Sequence, residues 1–514
     1  MKDLTRETLT KIYSKLKFMD HSNRSYFDND KMSNVNYLYL ALHEDLVSHG
    51  LAVLINYFHD NLDSPSVDLN IRSILETLAL LTYIETNPLD DFQYDLFRKH
   101  HVLVEMANRE KLMRHLAKDD DFKTDELLRT EIISSIAKHF STTGEEVEKM
   151  IDKNDPLFIF NGDRKEDFRF SSLIRKQLGE DYFQYYQFLS IITHPHSFGA
   201  NKTKIFDLRN IIVEGVLRLL NHYIDGLDLS DVEVTIISPL DEVEGPIRKM
   251  VYEGIQTKID SLKEILEEMG KLPKGFAFTS CENDFVNYLI SIVKDMDLCE
   301  LYGFNEQVTA KFKTFAEFSA ILTRFAQSDS RKEWVMVQNA FQFSSIIQSQ
   351  LVINKIYGYK DSIDEELIKY YFHNYYQETY KIDYATFKTQ FIYNSLYSIN
   401  KNATKNYKNL VKISNDWLET DQTRRDINSF LYSVSLDLGH GGGYLFSSSE
   451  SVWTSAARFC LEYTARYMKK YLLLRSIALT NANIESNFSS MLNQLFSAFS
   501  KDLVKFDIQK REAN

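Results

Sequence analysis

The stretch S-I-L-E-T-L-A-L-L-T-Y-I at Ser73–Ile84 is echoed far downstream by S-I-I-Q-S-Q-L-V-I-N-K-I at Ser345–Ile356. A chain that repeats apolar pieces in order is expected to consist of related units, each burying the same kind of face. Arg72 precedes the first copy and Glu76 lies within it, whereas Ser344 and Gln348 stand at the matching places of the second. On that alignment the ionic pair belongs to the leading unit alone, so the two units are expected to do different work.

Only 17 Gly and 7 Pro occur among 514 residues, too few for the turns of an all-β or loop-rich fold. The length also exceeds what one hydrophobic core usually supports. The expected fold is therefore all-α, with two related helical bundles in tandem and a small α/β insert between them. The boundaries read as 1–228 for an N-terminal bundle with a polar cleft, 229–281 for a connector and 282–514 for a degenerate C-terminal bundle. In the connector, D-V-E-V-T-I-I-S at Asp231–Ser238 alternates polar and β-branched residues. That pattern predicts a strand, paired with Lys274–Ser280 across a helix at Glu242–Met269.

In the first unit the apolar spacing predicts helices over Asn34–Asp60, Val67–Thr86, Asp90–Leu116, Leu127–Phe140, Glu145–Asp152, Phe168–Thr193 and Ile205–Tyr223. The strongest helical spans of the second unit include Phe312–Phe325, Ile363–Tyr380 and Thr423–Leu438. The 35 Phe and 30 Tyr suit wide bundle interiors.

A formal net charge of −13 repels a phosphate backbone at long range, which argues against general DNA binding and confines any nucleic-acid contact to a local cleft. The basic run Arg164, Lys165, Arg169, Arg175 and Lys176 is diluted by Asp163, Glu166 and Asp167, and reads as a solvated face. Cys281, Cys299 and Cys460 are too scattered for a disulfide framework, so a reducing, cytoplasmic setting is expected. The N-terminus lacks the apolar core of a secretory signal. No run reads as the ~20 apolar residues that span a bilayer, so no membrane partner is expected.

Arg72 and Glu76 share one helix face and interrupt an otherwise apolar helix. Buried ions need partners, so the pair is either a structural clasp or aimed into a polar cleft. Ser190 stands one helical turn before His194, which would let hydroxyl and imidazole face one cavity. A serine nucleophile also needs an oriented base and an oxyanion hole, and no G-x-S-x-G elbow occurs. The commoner reading of His194 is a helix-terminal histidine bonded to a neighbouring helix, beside general acid–base chemistry. His43 with Glu44, and His100 and His101 with Glu105, make only a weak metal-ligand pattern, and neither metal nor cofactor is expected. Gly441–Gly443 after His440 lack the lysine and hydroxyl of a P-loop and read as a sharp turn.

On these residues, the span from Asn34 to Asp225 resembles a bacterial family of uncharacterised all-helical domains. That family shows R-x-x-x-E on an apolar helix and a late Y-x-x-L-S-x-x-x-H-P/G turn, here R-S-I-L-E at Arg72–Glu76 and Y-Q-F-L-S-I-I-T-H-P at Tyr186–Pro195. Its members are distantly similar to HEPN-type bundles and abortive-infection proteins, which implies a role in phage defence or stress response. The R-x4-6-H motif of HEPN ribonucleases is missing from the obvious places: R-L-L-N-H at Arg218–His222 and R-K-H-H at Arg98–His101 are both too short. The second unit has Y-S-V-S-L-D-L-G-H at Tyr432–His440, similar in texture but differently spaced.

Two readings stand. In one, Arg72, Glu76, Ser190 and His194 line a cleft that binds or cleaves RNA or a nucleotide without a metal: Arg72 holds phosphate, His194 moves a proton and Glu76 orients one of them. In the other, the same residues are a buried clasp in a non-catalytic scaffold, and the second unit supplies a face for a protein partner or a second copy. Physical grounds favour the scaffold, and the family likeness favours the cleft.

Overall fold

A computed structural model describes residues 5–27, 33–99, 102–103, 106, 126–152, 170–193, 202–227, 234–242, 280–326, 338, 354, 365–388, 418–419 and 421–438, with parts of 456–474. All regular structure among them is helical. The first region contains α1 (Arg6–Phe27), α2 (Asn34–Phe58), α3 (Pro65–Thr86), α4 (Glu126–His139), α5 (Gly144–Asp152), α6 (Phe170–Gln177), α7 (Glu180–Ile192) and α8 (Lys202–Gly226). The second contains α9 (Ser280–Leu301), α10 (Asn305–Ala326), α11 (Glu365–Tyr371) and α12 (Gln422–Leu438).

Each region is organised around one buried helix. Pro65 starts α3 at a position where no backbone donor is lost, and every residue from Pro65 to Leu81 is buried beneath α2, α6, α7 and α8. In the second region α10 is enclosed by α9 and α12 and is buried along almost its whole length. The hairpins α2–α3 and α9–α10 also pack against each other, so the apolar core runs without a break from Leu9 to Tyr471.

The two hairpins turn in the same way. Asp60 (φ 52°) and Gly303 (φ 83°) occupy the left-handed region just past the ends of α2 and α9. In each case the next N–H reaches back five residues: Asn61 to the Asn56 carbonyl at 2.9 Å, and Phe304 to the Cys299 carbonyl at 2.8 Å. That bond is the signature of a Schellman helix end.

Three expectations are corrected. No strand occurs among the described residues, so the α/β insert is not formed there. Residues 234–238 are extended, but the Ile237 N–H donates to Ser14 Oγ at 2.9 Å and its carbonyl accepts from the same hydroxyl at 3.1 Å, so α1 takes the bonds a neighbouring strand would have made. The single helix expected over Phe168–Thr193 is two, because Gly179 at φ +98° ends α6 and lets the chain restart as α7. Residues 36–58 of α2 are long and apolar enough to cross a membrane by composition, contrary to the sequence reading, although 78% of that window is buried inside the molecule. A helix packed by α1, α3 and α9 is apolar around most of its girth for that reason. The echo at Ser345–Ile356 falls almost wholly outside the described residues.

Candidate functional site

Arg72 and Glu76 meet as their spacing requires, with Nε 3.1 Å from Oε1. In a lone helix a cation placed before a carboxylate is the weaker order. What completes the pair is a third group from α7: the Tyr186 hydroxyl donates to Glu76 Oε1 at 2.8 Å and accepts from Arg72 Nη2 at 2.9 Å. The guanidinium also lies 4.9 Å from the Tyr186 ring centre. Glu76 is 0% and Arg72 8% exposed, so the pair is buried. Burial raises the Glu76 carboxyl above its ordinary range against the opposing pull of Arg72, and burial beside Glu76 raises the Tyr186 phenol.

The second region repeats part of this arrangement at residues the sequence reading passed over. Lys313 and Glu317 stand on α10 at the same spacing, again cation first and both buried. From α12 the Tyr432 hydroxyl donates to Glu317 Oε1 at 2.5 Å. The Ser435 hydroxyl enters the α10 backbone, donating to the Ala310 carbonyl at 2.8 Å and accepting from the Lys313 N–H at 2.6 Å. A buried cation and carboxylate four apart therefore occur in the second region as well, while Ser344 and Gln348 lie outside the described residues. Matching apolar letters led to Ser344 and Gln348, whereas a cation and a carboxylate four apart in an apolar run would have led to Lys313 and Glu317.

The helices that carry the two centres, α3 and α10, pack against each other. Burial lowers the Lys313 ammonium below its ordinary range; Glu317 opposes that shift, and the charges of Arg72 and Glu76 also reach it. Gln307 at the start of α10 donates to Ser48 Oγ of α2 at 2.9 Å. Ser66 at the start of α3 donates to Asp295 of α9. Asp295 also accepts from Asn56 at 2.6 Å and lies 3.6 Å from the fully buried Lys311. Arg209 of α8 pairs with buried Asp68 at 2.5 Å and donates to the Ser64 carbonyl at 2.8 Å.

Ser190 does not join this centre. The Ser190 hydroxyl donates to the Tyr186 carbonyl of its own helix at 2.8 Å. His194 lies outside the described residues, as do His100, His101, Glu105 and His440 with Gly441–Gly443. His43 bonds the Tyr223 hydroxyl at 2.9 Å, and no group of three or more metal-ligating side chains occurs among the described residues. Arg218 pairs with Glu214 on α8, and His222 is exposed. Arg175 covers the Phe183 ring at 3.7 Å and pairs with Glu180 at 2.9 Å.

No protein-family model matches the chain, and neither a curated protein nor a solved structure matches it.

Proposed function

We propose that this protein is a non-catalytic helical scaffold made by duplication. In this reading α2, α3 and α7 correspond to α9, α10 and α12, and the two copies are joined through their charged centres as the subunits of a symmetric dimer would be. By resemblance, its setting is bacterial phage defence or stress response, where the outer helices present a face to a protein partner. The observation that carries the reading is the burial of Arg72 and Glu76, locked by Tyr186 where an RNA strand would have to enter. The committed Ser190 hydroxyl supports it further.

Incubation of the purified chain with total cellular RNA and nucleotides tests the proposal. The scaffold reading expects no turnover, and turnover that disappears in Arg72→Met would replace it with the cleft reading. One observation favours that second reading: the Arg72 side chain is 10% exposed, and only two of its five N–H donors are used among the described residues.

A further inference from the structure

The alternating stretch at residues 234–238 has a strand's sequence but pairs with no strand among the described residues. Its Ile237 N–H and carbonyl both meet Ser14 Oγ, at 2.9 and 3.1 Å. Two backbone groups of one residue reach a single oxygen when they leave the chain on the same edge, as they do in extended backbone. Neighbouring residues of an extended chain direct theirs to the opposite edge, so Val234, Ile236 and Ser238 turn their N–H and C=O groups away from α1. Among the described residues nothing bonds those outward groups. The Ile236 side chain on this stretch is 63% exposed, and Leu240 just beyond it 40%. The stretch is also held at two points: by Ser14 of α1, and by Tyr302 just past α9, which donates to the Pro239 carbonyl at 2.6 Å. A fixed, extended backbone with open donors and acceptors is a template for another strand, and being fixed beforehand it loses little freedom on pairing.

We infer that the outward edge of residues 234–238 receives an extended, basic segment of a partner protein, which adds to it as a strand. Charge selects the occupant. From Asp231 to Glu244 the sequence carries five carboxylates, Asp231, Glu233, Asp241, Glu242 and Glu244, and no lysine or arginine, in a chain of net charge −13. Two copies paired through this edge would bring two such stretches together. A strand with lysine or arginine among β-branched residues meets opposite charge instead, and finds in Ile236 an apolar cross-strand neighbour. The edge ends at Pro239, which has no N–H and whose carbonyl is taken by Tyr302. The inference deepens the scaffold reading by adding an extended edge to the helical faces, and it rests on that reading for the existence of a protein partner.

The probe is a synthetic peptide, K-V-K-V-T-V-K, titrated into the full chain and followed by fluorescence anisotropy and by amide hydrogen exchange of residues 234–238. Saturable binding is expected, with exchange of the outward Val234, Ile236 and Ser238 amides slowed about tenfold. The same peptide with glutamate for lysine should not bind. A version N-methylated throughout keeps its charge and loses every backbone donor, and should bind about tenfold more weakly or worse. Ile236→Pro removes one outward N–H and leaves the Ile237 bonds to Ser14 in place, so it should melt with the wild type and lose binding to the same extent. If that variant melts early, the N-methylated peptide on the wild type decides the same question. A wild type that does not bind the basic peptide overturns the inference, as does binding that survives N-methylation, since charge alone would then hold the peptide. Concentration-dependent dimers that Ile236→Pro disperses would make a second copy the occupant and overturn it as well. RNA turnover in the incubation above sinks the scaffold reading whether or not the peptide binds, and failed peptide binding sinks the edge alone.

Discussion

Tyr432 stands to Glu317 as Tyr186 stands to Glu76: in both regions a phenol from a later helix donates to a buried carboxylate that follows a cation by one helical turn. A burial penalty on a carboxylate is offset only when its geometry is good and its lone pairs are occupied. Each tyrosine occupies one, and by bridging two helices it fixes their register.

The first prediction concerns the complete clasp. Arg72→Ala leaves Glu76 and Tyr186 buried without their cation, and is expected to cost about 3–5 kcal/mol in urea denaturation. The triple change R72M/E76L/Y186F replaces every member with an apolar group and should cost less than that single change. A triple variant less stable than Arg72→Ala would show that the clasp stabilises the fold beyond what packing can replace.

Much of the fold and part of this centre were legible in the sequence. The Asn34–Asp60 and Val67–Thr86 helices were recoverable because their apolar periodicity is long and their ends carry Ser33, Ser64 and Pro65. The Arg72–Glu76 contact follows from helix spacing alone. Tyr186 as its partner does not, because a tyrosine in an aromatic run such as Tyr182–Phe188 gives no sign of which hydroxyl turns inward. The packing of α3 against α10 depends on how two hairpins meet, and no local pattern encodes that. Of the strand expected at Asp231–Ser238, the described residues 234–238 are extended, but Ile237 bonds Ser14 of α1, which alternation alone does not reveal.

The second prediction tests the inserted hydroxyl. Ser435→Ala removes both the acceptor for the Lys313 N–H and the donor to the Ala310 carbonyl in a fully buried place. Leaving such groups unmatched is expected to cost about 1–3 kcal/mol. Ser190→Ala, which removes only a bond to its own helix backbone, should cost far less by the same measurement.

The hairpin ends give a third. Gly303 and Asp60 share the left-handed conformation, and nothing lies within 4 Å of a side chain added at Gly303. Gly303→Ala is therefore expected to lose about 1 kcal/mol through backbone strain alone. Asp60→Gly should gain a similar amount by relieving the strain already present there. Chemical denaturation of the two variants checks both signs, and a neutral Gly303→Ala would contradict the shared turn geometry.

The last prediction is a pH dependence. Burial lowers the His43 imidazole from 6.5 to about 4, and burial with help from nearby Lys294 does the same to His59. Both rings are held by phenols, His43 by Tyr223 at 2.9 Å and His59 by Tyr302 at 3.0 Å, and Tyr302 in turn donates to the Pro239 carbonyl at 2.6 Å. A histidine whose folded pKa is depressed takes up its proton more readily when unfolded, so the unfolded state binds more protons between the two values. The stabilisation from these neutral rings is complete above pH 6.5 and is lost as pH falls toward 4. Urea midpoints measured from pH 8 to 4.5 should fall on the acid side, and the fall should be shallower in His43→Phe and His59→Phe, since each removes one protonating ring. Equal slopes in the wild type and both variants would assign the acid sensitivity to groups other than these two rings. Glu76 works in the opposite sense, because its raised pKa makes protonation favour the folded state. A wild-type profile shallower than the two histidines require would therefore be steepened by Glu76→Gln, which separates the two contributions.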